Sequence, residues 1–158
     1  MAGAIASNEQ QLARVVAKVE AACGGALEGV TVGAWGLTFK ANTDDRRDSP
    51  SLQVAHRLVA LGATVRAFDP TVAVDPDAAG ADAVPPDLAG LSLCADPYEA
   101  ATGARVLVVL TEWDEFRWLD LARVLSVMAA PSIVDARNLL DPAAVRRMGF
   151  AYTGIGRR

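Results

Sequence analysis

The sequence has little of what metal sites, disulfide frameworks and membrane spans need. Its 158 residues contain two cysteines, Cys23 and Cys94, which lie far apart and have no ligand residues beside them. This spacing excludes a disulfide framework and a zinc site. The single histidine, His56, falls within a helical pattern without a neighbouring nucleophile, so we expect no catalytic role for it.

No apolar run is long enough to cross a bilayer, and the first residues lack the basic-then-apolar pattern of a signal peptide. The formal net charge is only −4, so composition does not favour nucleic acid or a membrane surface as a partner. Hydrophobic residues make up 52% of the chain, which is enough for the core of one ordinary domain. We therefore expect a reduced, cytoplasmic protein.

Short apolar runs alternate with helical patterns along the chain. Strands are predicted at residues 30–35, 64–68, 91–94, 106–110 and 133–135, and helices at residues 7–23, 49–61, 96–102, 119–128 and 141–149. This order predicts an α/β fold with a doubly wound, mainly parallel sheet and helices on both faces, Rossmann-like in kind. Residues 71–90 show little periodicity and receive no secondary structure.

An amphipathic helix is predicted to precede the sheet. Ser7 and Gln10 have the spacing of a capping box at its start. Its apolar stripe consists of Leu12, Val15, Val16, Val19 and Cys23.

The segment from Gly36 to Pro50, GLTFKANTDDRRDSP, joins the first predicted strand to the next helix. Ser49 can serve as the N-cap of that helix, and Pro50 suits its first position. Lys40, Arg46 and Arg47 precede this helix start. Cations, free backbone N–H groups and the helix dipole together favour bound phosphate.

Ligands of an open parallel sheet bind beyond the carboxyl ends of its strands. Phe39 and Lys40 follow the first strand, Trp113 follows residues 106–110, and Arg137 follows residues 133–135. Two cations and two aromatic rings at one rim suit a nucleoside diphosphate. The alternative is that Arg137 only pairs with Asp135 or with a helix C-terminus.

Other sequence features indicate structural roles rather than catalysis or ligand binding. Gly33 and Gly36 do not have the Gly-x-Gly-x-x-Gly spacing of a dinucleotide loop. The acidic segment at residues 112–115 has no facing carboxylate cluster, which argues against acid–base catalysis. Asp44-Asp45 stands beside arginines and indicates ion pairs, and Asp69-Pro70 indicates a turn. We therefore predict neither a catalytic residue nor a metal site in this chain.

The loop residues resemble one family closely. The pattern G-L-x-F-K-x-x-T-D-D-x-R-x-S-P, with later matches at Phe68-Asp69-Pro70, at residues 111–116, at residues 134–138 and at residues 154–157, is similar to the C-terminal, UDP-binding domain of the UDP-glucose/GDP-mannose dehydrogenase family. The resemblance extends from about Asn8 to the end of the chain and is strongest to the UDP-glucose 6-dehydrogenase branch.

The resemblance implies roles for four residues. Phe39, Lys40 and Arg137 would contact the UDP-sugar substrate, and Arg47 would reach the pyrophosphate of NAD. Arg46 stands at a variable position and is expected to be a solvated charge. The family's NAD-binding Rossmann domain and catalytic cysteine are expected to lie outside this chain, so the chain alone is expected to be inactive.

The resemblance also implies a domain division. Residues 1–28 would be the distal part of a connecting helix, and residues 29–158 the UDP-sugar-binding domain. Part of the apolar stripe of this helix would face a partner or the family's other domains. The full-length enzyme is expected to be a homodimer. Two alternatives stay open: the same domain of a GDP-mannose or UDP-N-acetyl-hexosamine dehydrogenase, or a stand-alone nucleotide-binding or dimerisation module.

Overall fold

The computed structural model describes residues 2–74 and 84–155, with side chains from Asn8 onward. Part of the predicted excursion at residues 71–90, and the end of the C-terminal family match, lie outside these residues. The helices are α1 Ala2–Ala22, α2 Pro50–Ala60, α3 Pro97–Ala101, α4 Leu121–Val127 and α5 Pro142–Arg147. The strands are β1 Thr31–Trp35, β2 Thr64–Phe68, β3 Ser92–Leu93, β4 Val106–Val109, β5 Ser132–Asp135 and β6 Ala151–Gly154.

The six strands form one parallel sheet in the order β3-β2-β1-β4-β5-β6. Alternate residues of each central strand enter different cores, because side chains along a strand point to opposite faces. Val106 and Val108 of β4 join the core beneath α1 and α2, whereas Leu107 and Val109 join the core beneath α3, α4 and α5. The predicted doubly wound fold with helices on both faces is confirmed.

The N-terminal helix differs from its prediction in where it begins and in what its apolar stripe contacts. It begins at Ala2 rather than at Ser7, so the backbone at Ser7 is already helical and this residue is not the N-cap. The five residues of the predicted stripe are all buried in the same core as β1 and α2. They are therefore covered within this chain and do not face a partner.

Three local elements within the described residues were not predicted. The edge strand β6 pairs with β5 alone, and short 3₁₀ turns form at Pro86–Leu88 and Asp114–Trp118. The first of these turns lies within the segment that received no secondary structure, and it buries Leu88. The other elements follow the predicted order, with bounds that differ by at most two residues.

Helix α2 starts as the sequence predicts. Ser49 has extended backbone angles, and its Oγ accepts a hydrogen bond from the N–H of Leu52 at 3.3 Å. The same Oγ donates to the carbonyl of Leu37 at 2.9 Å. The cap therefore ties the start of α2 to the end of the β1 segment, which fixes the loop between them.

Gly36 is required where β1 leaves the sheet. Its φ is +96°, and a Cβ built there would lie 2.4 Å from Cβ of Thr111. Gly103 also has a positive φ, of +72°, but a Cβ there would meet nothing within 4 Å. Both glycines have a positive φ, but only Gly36 has a close neighbour. A comparison of the two positions therefore separates the cost of steric overlap from the cost of backbone strain.

We expect Gly36→Ala to destabilise the fold by about 3 kcal/mol or more, because strain and overlap add. Gly103→Ala, the matched control, should cost only the strain, about 1 kcal/mol. Urea denaturation of both variants and the parent chain measures the difference. Equal losses at the two positions would contradict the close approach of Gly36 to Thr111.

Candidate functional site

The carboxyl ends of three adjacent strands meet at one edge of the sheet. Trp35 of β1 stands in register with Val109 of β4, and Val109 with Asp135 of β5. From β1 the chain continues to β2 on one side, and from β4 to β5 on the other. The loops after β1 and β4 therefore diverge, and such a switch point is where open α/β sheets bind ligands.

Arg137 lies at this switch point and crosses it. Its Nε donates to the carbonyl of Leu110 at 2.9 Å, and its Nη2 donates to the carbonyl of Phe39 at 3.2 Å. Its Nη1 lies 3.8 Å from Oε2 of Glu112. One guanidinium therefore joins the loops that follow β1, β4 and β5.

The buried carboxylate of Asp135 shapes the β5 loop from below. It accepts hydrogen bonds from the N–H of Arg137 at 3.1 Å, the N–H of Leu140 at 2.8 Å and the hydroxyl of Tyr152 at 2.8 Å. Asp135 thus contacts the backbone of Arg137, while the guanidinium is bound to carbonyls of other loops. The alternative in which Arg137 serves only to pair with Asp135 is wrong.

A second buried carboxylate, Asp69, fixes the β1 loop. Its Oδ2 accepts from the N–H groups of Leu37 and Thr38 at 2.7 and 3.2 Å, and its Oδ1 accepts from the N–H and hydroxyl of Thr71 at 2.8 and 2.6 Å. The predicted turn at Asp69 is confirmed by the bonds to Thr71. Its bonds to Leu37 and Thr38 were not predicted, because they join residues more than 30 positions apart.

Three buried hydroxyls link α2 to the same rim. Ser51 Oγ lies 2.7 Å from the carbonyl of Leu110 and 3.0 Å from Oγ1 of Thr111. Thr111 Oγ1 donates to the carbonyl of Thr38 at 3.0 Å, and Thr38 Oγ1 donates to the carbonyl of Lys40 at 2.9 Å. Sequence reasoning missed Ser51 as a rim residue, since its only signal was its place one residue after Pro50.

A cleft of about 410 Å³ opens beside Arg137 and the first turn of α2. Its walls come from α1, α2 and the segments after β4, β5 and β6: Asn8, Gln11, Pro50, Ser51, Val54, Leu110, Glu112, Ala136, Arg137, Asn138 and Ile155. A guanidinium and a helix N-terminus at one cleft favour a bound anion. This cleft is the candidate site.

The other predicted contact residues lie around this cleft rather than in its walls. The Phe39 side chain is 46% exposed, and Lys40 is also exposed. None of the ion pairs among the described residues involves Lys40. Trp113 is turned towards the core under α3 and α4, and its buried indole N–H has no hydrogen-bond partner in the described part of the chain.

Arg47 faces a different cleft, on the other side of α2. This second cleft, of about 1080 Å³, is lined by residues 44–49, Leu52, Gln53, His56 and Asp87. The Arg47 side chain is 90% exposed and pairs with Asp45 at 3.1 Å. This hydrogen-bonded pair lowers the pKa of Asp45. The ion pair predicted for the Asp44-Asp45 segment is confirmed.

The expectation that Arg46 is a solvated charge is wrong. Its Nε donates to Asp87 Oδ2 at 2.7 Å and its Nη2 to Oδ1 at 3.3 Å, so the pair is bidentate. Only 22% of the Arg46 side chain is exposed. The hydrogen bonds from Arg46 lower the pKa of Asp87. Asp87 lies 41 residues further along the chain, and local sequence gives no signal for such a pairing.

The described residues offer neither a metal cluster nor a reactive thiol. No group of three or more His, Cys, Asp or Glu side chains among them is arranged to hold a metal ion. Cys23 and Cys94 are both buried, and burial raises the pKa of each thiol. Within the described residues, no helix combines the length and apolar character that a membrane span needs.

The turn after β1 does not fit the pyrophosphate of a dinucleotide. Gly36 approaches Thr111, and a Cβ at Gly33 would lie 2.7 Å from the carbonyl oxygen of Ala100. Both glycines therefore serve close packing of backbone and side chains, and no phosphate cradle forms there.

The fold and this site define a class of protein: a doubly wound α/β domain with a cleft at its switch point, lined by a guanidinium and a helix N-terminus. Comparison with known proteins gives the family. Residues 33–142 match the UDP binding domain of the UDP-glucose/GDP-mannose dehydrogenase family, and the chain belongs to this family.

Two curated relatives are UDP-glucose 6-dehydrogenases. The Rhizobium meliloti enzyme is 42% identical over 153 residues, which cover 97% of this chain and 33% of the relative. The Pseudomonas aeruginosa enzyme is 44% identical over 133 residues, which cover 84% of this chain and 29% of the relative. The chain thus spans about a third of the length of these relatives.

A solved structure shares the fold. The UDP-glucose dehydrogenase of Pyrobaculum islandicum superposes with a TM-score of 0.72 at 26% identity, over 98% of this chain and 31% of that chain. The Pyrococcus horikoshii UDP-D-ManNAc dehydrogenase, at 24% identity and a TM-score of 0.66, agrees in fold as well.

We expect Asp69→Asn to destabilise the chain by about 2–4 kcal/mol, because its amide nitrogen cannot accept the hydrogen bonds that a carboxylate oxygen accepts at this buried position. Asp96→Asn is the matched control. Asp96 is an exposed N-cap that accepts one hydrogen bond, from the N–H of Glu99, and asparagine caps helices equally well. Denaturant unfolding compares the two variants, and a small loss at Asp69 would refute its bracing role.

Proposed function

We propose that this chain is the UDP-sugar-binding domain of an NAD-dependent UDP-glucose 6-dehydrogenase, an enzyme that oxidises UDP-glucose to UDP-glucuronate. The observation that carries the proposal is the cleft between the first turn of α2 and Arg137, at the switch point of the sheet. Membership of the family and the identity to two UDP-glucose 6-dehydrogenases support the choice of substrate.

The proposed ligand lies with its diphosphate in this cleft. Arg137 supplies positive charge there and is held in place by two backbone carbonyls, so little of its side-chain entropy is lost on binding. Lys40, which is exposed and without an ion pair among the described residues, supplies a second cation. The exposed ring of Phe39 packs against the sugar nucleotide.

NAD, when bound to the intact enzyme, would supply the hydride acceptor for oxidation of the sugar alcohol. We propose that residues outside this chain bind most of it, and that Arg47 reaches its pyrophosphate. The high exposure of Arg47 and its position on the opposite side of α2 from the Arg137 cleft support this division.

The domain arrangement belongs to the same proposal. Residues 1–28 form the distal part of a connecting helix and residues 29–158 the binding domain, within a cytoplasmic homodimer of the full-length enzyme. The burial of the α1 stripe against β1 and α2 means that this helix packs as part of the domain core.

UDP added to the 158-residue chain should shift amide NMR signals of residues 36–40, 51–54, 111–113 and 136–138. We expect an affinity no better than about millimolar, because one domain supplies only part of the pocket and the ligand still loses its translational freedom. Shifts confined to other surfaces would show that the site is misplaced.

Paired alanine variants test the division between the two clefts. Lys40→Ala should weaken UDP binding several-fold, whereas Arg47→Ala should leave it within about twofold. Arg47→Ala should also change stability by less than about 1 kcal/mol, because its side chain is exposed and lies near a helix N-terminus. NMR titration and thermal melts give both readouts. Unfolding of the Arg47 variant, or equal losses of UDP binding, would refute the division.

The chain alone should form no NADH from UDP-glucose. Its two thiols are buried, and the turn after β1 does not hold a dinucleotide, so neither a nucleophile nor a hydride acceptor is positioned. Absorbance at the NADH band, with a blank lacking UDP-glucose, is the measurement. Substrate-dependent NADH formation would contradict the proposed role as a binding domain.

A further inference from the structure

Glu112 is placed to compete with a bound phosphate, and nothing in the function proposed above uses it. Its carboxylate lines the Arg137 cleft and is 45% exposed. Its Oε2 lies 3.8 Å from Arg137 Nη1, which is an ion-pair distance but too long for a hydrogen bond. The contact is therefore electrostatic and leaves the N–H groups of Nη1 without an acceptor there.

The rest of the Arg137 guanidinium is occupied. Nε and Nη2 donate to the carbonyls of Leu110 and Phe39, while Nη1 makes no hydrogen bond within the described part of the chain. Because the two carbonyls fix the plane of the group, the guanidinium cannot turn its free edge away from Glu112. An anion that binds Arg137 must approach this same edge, where the carboxylate repels it.

The contrast with Arg46 supports this interpretation. Arg46 and Asp87 form a bidentate, hydrogen-bonded pair at 2.7 and 3.3 Å, so a competing anion would have to break two hydrogen bonds to displace this carboxylate. The Arg137 and Glu112 side chains lie further apart, at 3.8 Å, and both line the same cleft. Another anion can therefore displace the Glu112 carboxylate from Arg137 without the loss of a hydrogen bond.

We propose that Glu112 is a specificity-determining counter-charge, which a ligand phosphate displaces from Arg137 and which thereby lowers the affinity of the cleft for the diphosphate group. This inference rests on the proposed function. Its consequence is selective: Glu112 weakens the binding of any phosphate at this edge, and it leaves the binding of an uncharged nucleoside unchanged. A ligand then needs contacts beyond its phosphates, such as those of a base or sugar, to be retained.

Glu112→Gln in the 158-residue chain tests the proposal, with UDP, inorganic pyrophosphate and uridine as probes in NMR titrations at low ionic strength. We expect UDP and pyrophosphate to bind about two- to fivefold more tightly to the variant, the range for one exposed charge pair. Uridine should bind equally to both proteins. Thermal melts should coincide, because the substituted side chain is exposed.

Glu115→Gln is the matched control. It removes the same charge from the same segment, and Glu115 has no ion pair with Arg137 among the described residues. We expect it to change UDP affinity by less than about 1.5-fold, since charges beyond direct contact are screened by solvent. An equal gain in UDP affinity in both variants would mean that the effect comes from the net charge of the chain, and it would overturn the proposal.

The remaining outcomes are also decisive. Weaker UDP binding by Glu112→Gln would mean that the carboxylate accepts a hydrogen bond from the ligand, which overturns the counter-charge role but keeps the proposed site. Unchanged UDP binding would overturn the inference alone. If UDP does not shift the rim signals of the unsubstituted chain, the proposed function fails and the inference fails with it.

Discussion

Two backbone carbonyls hold the guanidinium of Arg137, and this anchoring determines the geometry of the whole rim. The carbonyls of Leu110 and Phe39 belong to the loops after β4 and β1, and Arg137 itself belongs to the loop after β5. Because one planar cation donates to carbonyls of two other loops, the three loops are held at fixed distances around the cleft.

The buried carboxylates support this arrangement from within. Asp135 sets the course of the chain that carries Arg137, and Asp69 fixes the segment that leads to Phe39. Both accept N–H groups that the sheet leaves unpaired at its edge, which offsets the cost of burying a charge. The Arg137 guanidinium is therefore held in place by local hydrogen bonds, and the positive end of the dipole of α2, whose start Ser49 caps, lies at the same cleft.

Most of the fold was predictable from local sequence signals. The aliphatic run of β4, the Ser49-Pro50 helix start and the turn at Asp69 each have a physical cause within a few residues, and all three predictions are confirmed. Strand β6 was missed because the segment at residues 151–154 has a single large buried side chain, Tyr152, and its pairing depends on β5. Edge strands of this kind give almost no pattern of their own.

The position of the candidate site in the fold was predictable from the sequence, but most of its side-chain contacts were not. The strand-end rule selected Phe39 and Arg137, which the structure brings into hydrogen-bond contact. It could not reveal that Arg46 pairs with Asp87, because that contact spans a long stretch of chain with no periodic signal. Nor could it show that Trp113, beside the same rim, turns into the core. Such side-chain choices depend on packing that only the assembled sheet defines.

A crystal structure of this chain with UDP would show directly where the diphosphate lies relative to the anchored guanidinium of Arg137. We expect the diphosphate in the cleft between Ser51 and Arg137, with the guanidinium still bound to the carbonyls of Leu110 and Phe39. A diphosphate bound on the other side of α2, beside Arg47 and Gln53, would contradict it. So would an Arg137 side chain that leaves both carbonyls to reach the ligand.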